Sequence, residues 1–291
     1  MPATHSVDLT TCKRCRLCAE ICPAGIIRAD DAARFREDRL HICIRCGQCM
    51  AVCPTKSISI EGLSYDIDFF PLPERQPTWE EAFFNLISSR RSVRNFKDKP
   101  VPRELLEKIV RAITFAPPGF TPLTIQVTVV NNRGLIKDAV PMMAAMYDQL
   151  LKMNSNPFMR PILKRIVGKE TYQVLSVHVL PIMKIRMPAL KAGSEDTIAR
   201  NAPALILFHA PVHNEDFFIA LAFGLLAAHS LGLGACAIGL IPPTINRNPE
   251  LRKMFQIPEG NTVIASMVLG YPKHKYTWGI RRSPAGLTWV G

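Results

Sequence analysis

Acidic residues are scarce in this chain: 24 Asp and Glu stand against 36 Lys and Arg, leaving a formal charge of +12 over 291 residues. Such a surplus suits nucleic acid, an anionic membrane surface, an acidic protein or a phosphorylated small molecule, and charge alone does not choose among them. An export leader is not expected, because polar residues and cysteines begin within the first dozen positions, where a basic start and an apolar run would be needed. A cytoplasmic location is the expectation. No Gly-x-Gly-x-x-Gly lies between a strand and a helix, which argues against a separate dinucleotide-binding domain. Beyond residue 53 cysteine occurs once, as Cys236, and with no basic neighbour it reads as a small core residue.

The other eight cysteines are concentrated. Cys12-x2-Cys15-x2-Cys18-x3-Cys22-Pro23 recurs 31 residues later as Cys43-x2-Cys46-x2-Cys49-x3-Cys53-Pro54, and Ile27 has its counterpart in Ile58. These short, regular spacings suit a metal in a reducing compartment better than disulfides. Three thiolates two residues apart wrap one face of an iron-sulfur cube, and the fourth, before proline, reaches the cube of the other half. By that rule Cys12, Cys15, Cys18 and Cys53 hold one [4Fe-4S] cluster, and Cys43, Cys46, Cys49 and Cys22 hold a second. Paired structural zinc sites are the alternative, since Cys-x2-Cys is also zinc spacing. The doubled pattern resembles the bacterial two-cluster ferredoxins over residues 5 to 62, within an expected domain at 1–64. Nine Lys or Arg against seven Asp or Glu set this segment apart from acidic free carriers, so it is expected to serve its own chain.

From Tyr65 to Pro77 three prolines favour extended backbone, and a linker is expected at 65–77. The second domain then runs from 78 to 291. Thr78-Trp79-Glu80-Glu81 has the form of a capping box opening a helix over about 79–90. Arg90-Arg91-Ser92-Val93-Arg94-Asn95-Phe96 follows, where three guanidinium groups and a hydroxyl fall within five residues, as a phosphate dianion requires. A solvated basic run or a nucleic-acid contact is the alternative. The pattern predicts a helix at 103–114 and strands at 126–130, 202–208 and 263–269. The chargeless stretch Phe217–Ile241 raises a membrane-span question, but Gly232, Gly234, His229 and Ser230 interrupt it. A buried helix over about 215–231, a glycine stop and a short strand read better.

Taken in order, these motifs resemble the nitroreductase family across residues 78 to 291. Arg90, Arg91, Ser92 and Arg94 stand where that family grips the phosphate and edge of FMN. Ala116-Pro117-Pro118-Gly119-Phe120-Thr121 is similar to its Ala-Pro-Ser-Gly-x-Asn loop, with Pro118, Gly119 and Thr121 at flavin-contacting positions although Pro and Thr replace Ser and Asn. Gly232 to Gly239 resembles its glycine segment, so Ala237, Ile238 and Gly239 are expected beside the flavin ring. Arg281 and Arg282 resemble the terminal basic segment that reaches the phosphate. The resemblance implies an α+β fold, a helix-flanked central sheet, with FMN as cofactor and a homodimer built on the long apolar helix. It implies hydride transfer to a small electrophilic acceptor such as a nitroaromatic, a quinone or an activated double bond. Electrons would come from reduced ferredoxin or NAD(P)H and pass through two [4Fe-4S] clusters. An electron-transfer module serving a partner protein is the competing class, and nucleic-acid binding is set aside. No catalytic acid is assigned; Tyr172, His178 and His229 qualify by chemistry only.

One segment stands out within the second domain, an expected insertion over about 140–195. Lys152 to Lys191 holds eight Lys or Arg against Glu170 alone, and Met142 to Met187 holds seven of the eleven methionines. A substrate lid of adaptable methionines, an interfacial surface touching membrane or an acidic partner, and a helical pair with snorkelling lysines all fit.

Overall fold

The computed structural model describes residues 5–117, 125–212 and 216–291. Two compact units divide the chain, Met1–Pro77 and a larger one made from Thr78–Ala116 and Thr124–Gly291.

In the first unit β1 (Ser6–Val7) pairs with β4 (Ile58–Ser59), and β2 (Ile27–Ala29) with β3 (Ala33–Phe35), both antiparallel. Two short helices, α1 (Leu17–Ile21) and α2 (Gln48–Ala51), carry Cys18 and Cys49 into a small core with Ile26, Ile27, Met50, Ile58 and Ile60. Inside the segment expected as linker, α3 (Tyr65–Asp68) forms one helical turn. Tyr65 Oη donates to Met50 O at 3.1 Å, and Tyr65 and Phe69 pack on that core.

The second unit follows the order α4 (Trp79–Ser89), α5 (Arg103–Ile113), β5 (Gln126–Val130), α6 (Arg133–Ser155), α7 (Met159–Val167) and α8 (Lys169–Val174). One π-helical turn, Leu175–Val179, joins α8 to α9 (Leu180–Lys191). Then come β6 (Ala204–Ala210), α10 (Asp216–Ser230), β7 (Gly234–Ala237), α11 (Ile241–Arg247), α12 (Pro249–Met254) and β8 (Thr262–Gly270). The four strands form one antiparallel sheet in the order β5-β6-β8-β7. This is an α+β fold with helices on both faces of the sheet.

Every residue of β6 is buried, and its two-residue alternation feeds two cores. Leu205 and Leu207 face Met143, Met183 and Ile241, whereas Ala204, Ile206 and Phe208 face Ile109, Phe217 and Ala220. Each large side chain of this kind contributes about 1.5–3 kcal/mol by leaving water. Helix α10 crosses the second face closely at Gly224, where an added Cβ would meet Met267 Sδ at 3.0 Å. Among the described residues no helix is long and apolar enough to cross a membrane, and α10 instead buries Phe217, Ala220 and Leu221 while exposing Phe218, Ile219 and Phe223.

One expectation at a helix start fails. Thr78 already has helical backbone angles, φ −76° and ψ −10°, and its side chain makes no capping hydrogen bond, so the box does not close. The turn at Pro77 carries the chain into α4 before the hydroxyl can face the free N-H groups. Real caps lie elsewhere: Asn132 accepts from Leu135 N at 3.0 Å, and Asn248 from Glu250 N and Leu251 N.

The sheet also buries a polar chain. His209 is 3% exposed, its Nε2 lies 3.0 Å from Thr128 Oγ1 and its Nδ1 2.8 Å from Asn261 Nδ2, which also donates to Gln126 Oε1. A neutral ring can satisfy both partners, and burial, then Arg252, holds its pKa below 6.5. The unfolded chain therefore takes up the proton first, and the stabilising contribution present above about pH 6.5 is lost as pH falls. Thermal melts from neutral to mildly acidic pH should show that decline, and His209→Gln should flatten part of it; an unchanged profile in the variant would assign the decline to other groups.

Candidate functional site

Two small cavities in the first unit are lined by cysteine. Cys12, Cys15, Cys18 and Cys53 line one, with Ser57 and Thr55; Cys22, Cys43, Cys46 and Cys49 line the other. Each gathers three cysteines of one motif and the fourth of its repeat. All eight are free thiols. The two loops share their backbone as well: left-handed φ angles at Arg14 (55°), Arg16 (67°) and Gly25 (58°) recur 31 residues on at Arg45 (51°), Gly47 (72°) and Lys56 (54°). Arginine and lysine seldom adopt that conformation, so the loop path prevails over residue preference. These turns allow successive sulfurs to face one side.

Burial shapes the thiols. It pushes Cys49 up to about 12 and raises Cys18 and Cys43, whereas at Cys53 hydrogen bonds from Ser57 and Thr55 outweigh burial and lower it. Ser57 N donates to Cys53 Sγ at 3.3 Å, and Arg14 N to Cys12 Sγ at 3.4 Å. Among the described residues no three His, Cys, Asp or Glu side chains form a group that could hold a metal ion.

In the second unit the arginine run is tied to the sheet. Val93 N donates to Ala235 O at 3.0 Å, Ser92 bridges to Ala235, and Phe96 bridges to Pro272. Extended backbone sends neighbouring side chains to opposite sides, so Arg91 and Arg94 enter different cavities. Arg91 lines a cavity of about 460 Å³ with Lys97, His229, Lys273, His274 and Lys275, and no carboxylate lines it. The Nη atoms of Arg91 donate to Ser88 O, Arg90 O and Trp278 O, while its buried Nε has no partner. Arg94 lines a second cavity of about 330 Å³ with Arg186, Glu195, Asp196 and Arg200.

Gly239 borders a third cavity of about 400 Å³, lined chiefly by apolar side chains from α6, α7, α8 and the π-helical turn, including Met146, Met153 and Leu163, with Arg247 also lining it. Ala237 is exposed and Ile238 buried at the end of β7. Arg281 and Arg282 lie exposed in the C-terminal tail, lining none of these three cavities, although Gly279 sits against Arg91 Nη2. Arg90 is half-buried beside His229, and Pro118, Gly119 and Thr121 fall outside the described residues. Of the acid candidates, His229 Nε2 is 2.8 Å from Ser89 Oγ, with its pKa lowered by burial, Arg90 and Arg91. Tyr172 Oη bonds Asn154 at 2.8 Å, and His178 is exposed on the π turn.

A model of the nitroreductase family matches residues 87–271. The chain belongs to the nitroreductase family. A model of the 4Fe-4S dicluster domain matches residues 11–58, so this nitroreductase-family chain carries a ferredoxin-like N-terminal domain. A Methanothermobacter thermautotrophicus protein, named provisionally as an NADH dehydrogenase/NAD(P)H nitroreductase, is 27% identical over 186 residues, 64% of this chain and 75% of its own. Rat iodotyrosine deiodinase 1 is 24% identical over 234 residues, 75% of this chain and 72% of its own. Among solved structures, an FMN-bound nitroreductase from Bacteroides fragilis aligns with TM-score 0.52 and 22% identity, over 72% of this chain and 98% of its own. One from Desulfitobacterium hafniense, also with FMN, gives 0.53 and 22% over 72% and 97%.

Within the nitroreductase-family unit the structure adds residues that sequence reading missed. Arg200 and Asn201 take left-handed φ angles of 62° and 51°, held by Asp196, whose carboxylate accepts from Ile198 N, Ala199 N and Asn201 N. Burial, then Arg94, lowers the pKa of Arg200, and its Nε is also without a partner. Lys273 and Lys275 join Arg91 because, after β8 ends at Gly270, the chain runs antiparallel beside the arginine run, Lys273 N donating to Asn95 O at 3.0 Å. Packing is close at Gly234, where a Cβ would fall 2.6 Å from Val93 Cβ. Gly234→Ala should therefore destabilise the unit by about 1–3 kcal/mol in denaturant unfolding, and a neutral result would mean that Val93 can withdraw from β7.

Proposed function

We propose that the chain is an iron-sulfur flavoprotein oxidoreductase, in which electrons from a donor pass through two [4Fe-4S] clusters to FMN and on to a small electrophilic acceptor. The observation that carries this reading is the union, in one chain, of a dicluster domain and a nitroreductase-family domain. When bound, the clusters would supply one-electron transfer and FMN the conversion to two-electron hydride chemistry.

The residues fit these groups. Cys12, Cys15, Cys18 and Cys53 would hold one cluster, and Cys43, Cys46, Cys49 and Cys22 the other, in keeping with the two cysteine-lined cavities. For the phosphate, Arg91 lines a cavity that also holds Lys97, Lys273 and Lys275, with no carboxylate in its lining. Arg90, Ser92 and Arg94, with Arg281 or Arg282 from the tail, would complete the grip on phosphate and flavin edge. Ala237, Ile238 and Gly239, and the loop with Pro118, Gly119 and Thr121, would pass beside the ring.

The chain's own residues then position the acceptor. The cavity bordered by Gly239 is apolar and adaptable through Met146 and Met153, which favours an enzyme with a small-molecule acceptor over a module that serves only a protein. Nitroaromatics, quinones and activated double bonds are the classes to screen, with reduced ferredoxin or NAD(P)H as donor. Exposed Phe218, Ile219 and Phe223 on α10, beside Phe83 and Phe84 on the contacting α4, support a homodimer.

Anaerobic purification should yield about eight iron and one FMN per chain, with clusters and flavin reducing together in a stepwise titration followed by visible and EPR spectra. Zinc without flavin would overturn the proposal, and iron without flavin would confine it to the first domain. Arg91→Ala should weaken FMN binding about 10- to 100-fold, the range for a lost hydrogen bond to a charged group, with Arg91→Lys intermediate; unchanged flavin retention in fluorescence titration would move the phosphate away from Arg91.

A further inference from the structure

We propose that the α7–α9 segment docks the protein on the surface of an anionic lipid bilayer. Helix α7 turns Met159, Ile162 and Ile166 outward at helical spacing while Leu163 is buried beneath them. The helical stretch after it does the same with Val174, Val177, Ile182 and Ile185. Scattered exposed apolar residues are ordinary on a protein surface, but two consecutive helical stripes are not. The stripes meet, because Ile166 and Val174 both line the apolar cavity.

Positive charge predominates around these residues, with Glu170 the one acidic side chain between Lys152 and Lys191. Arg160, Lys164, Arg165, Lys169 and Lys184 are exposed, and among the described residues none of them forms an ion pair; Lys152, Arg186 and Lys191 do. Apolar side chains among unpaired cations suit a headgroup region, where acyl chains receive the isoleucines and phosphates meet the Lys and Arg heads. The apolar residues protrude, Ile185 being 76% and Phe158 87% exposed, which suits a fluid surface. A second copy of this face would bring its five unpaired cations against the same five, which disfavours self-association. No described helix spans a bilayer, so the contact is peripheral. Docking goes beyond the redox reading and needs neither flavin nor turnover, yet it would set the cavity mouth against the lipid and give entry to acceptors with an apolar tail.

The test is flotation of the full-length protein with phosphatidylglycerol vesicles and, separately, phosphatidylcholine vesicles. Binding to the first should exceed binding to the second and weaken with added salt. The pair Lys164→Glu and Arg165→Glu, and separately the pair Ile166→Asp and Ile185→Asp, should each weaken binding at least about tenfold, with thermal midpoints unchanged since all four side chains are exposed. Absence of flotation with phosphatidylglycerol, or equal binding by the charge-reversed pair, would overturn the proposal. So would a change of mass in light scattering for the Asp pair, which would make this face a contact between copies. Loss of flavin with vesicle binding intact would count against the redox reading alone.

Discussion

The hydrogen bond from Val93 N to Ala235 O is the contact on which the candidate flavin site rests. It fastens the arginine run to β7, and β7 is held through β8 to a strand buried along its whole length. Glycine at 234 lets the two backbones come this close, since any side chain there would occupy the space of Val93. The bridge between Phe96 and Pro272 repeats the anchoring at the other end of the run. Arg91, just before the first anchor, and Arg94, between the two, are directed by this extended backbone into different cavities. A rigid sheet thus aims Arg91 and Arg94, long side chains that would otherwise sample many rotamers.

Electrostatics differs between the two cavities they enter. Around Arg91 the lining is basic without a carboxylate, so an anion would meet donors and no opposing charge. Around Arg94, Glu195 and Asp196 balance Arg186 and Arg200, and Asp196 is occupied in holding its own turn. The first setting suits a dianion, and the second suits a polar neutral edge, where donors and acceptors are both needed.

Much of this was legible in the amino-acid order because it rests on local rules. The cysteine spacing, the apolar run that becomes β6 (expected at 202–208, observed at Ala204–Ala210), the extent of β5 and the glycine stop after α10 each follow from a pattern within a dozen residues. Thr78 misled because a capping box needs a backbone angle as well as a residue type, and the preceding turn had already made Thr78 helical. Arg200 left no trace, since neither periodicity nor a charge run marks it. The grouping of Lys273 and Lys275 with Arg91 depends on where β8 ends in space, which no local rule supplies. Likewise, Arg281 and Arg282 carry the right chemistry but no described contact that joins them to Arg91.

The lining of the two cysteine cavities has a consequence for assembly. Cys53 closes the pocket built on the first motif, and Cys22 closes the one built on the second, so each half of the repeat holds the last wall of its twin. Neither half is a finished vessel until the other has folded around it. Maturation of this unit is therefore all-or-none, and a chain stalled after the first motif during synthesis would present three thiols with nothing to complete them.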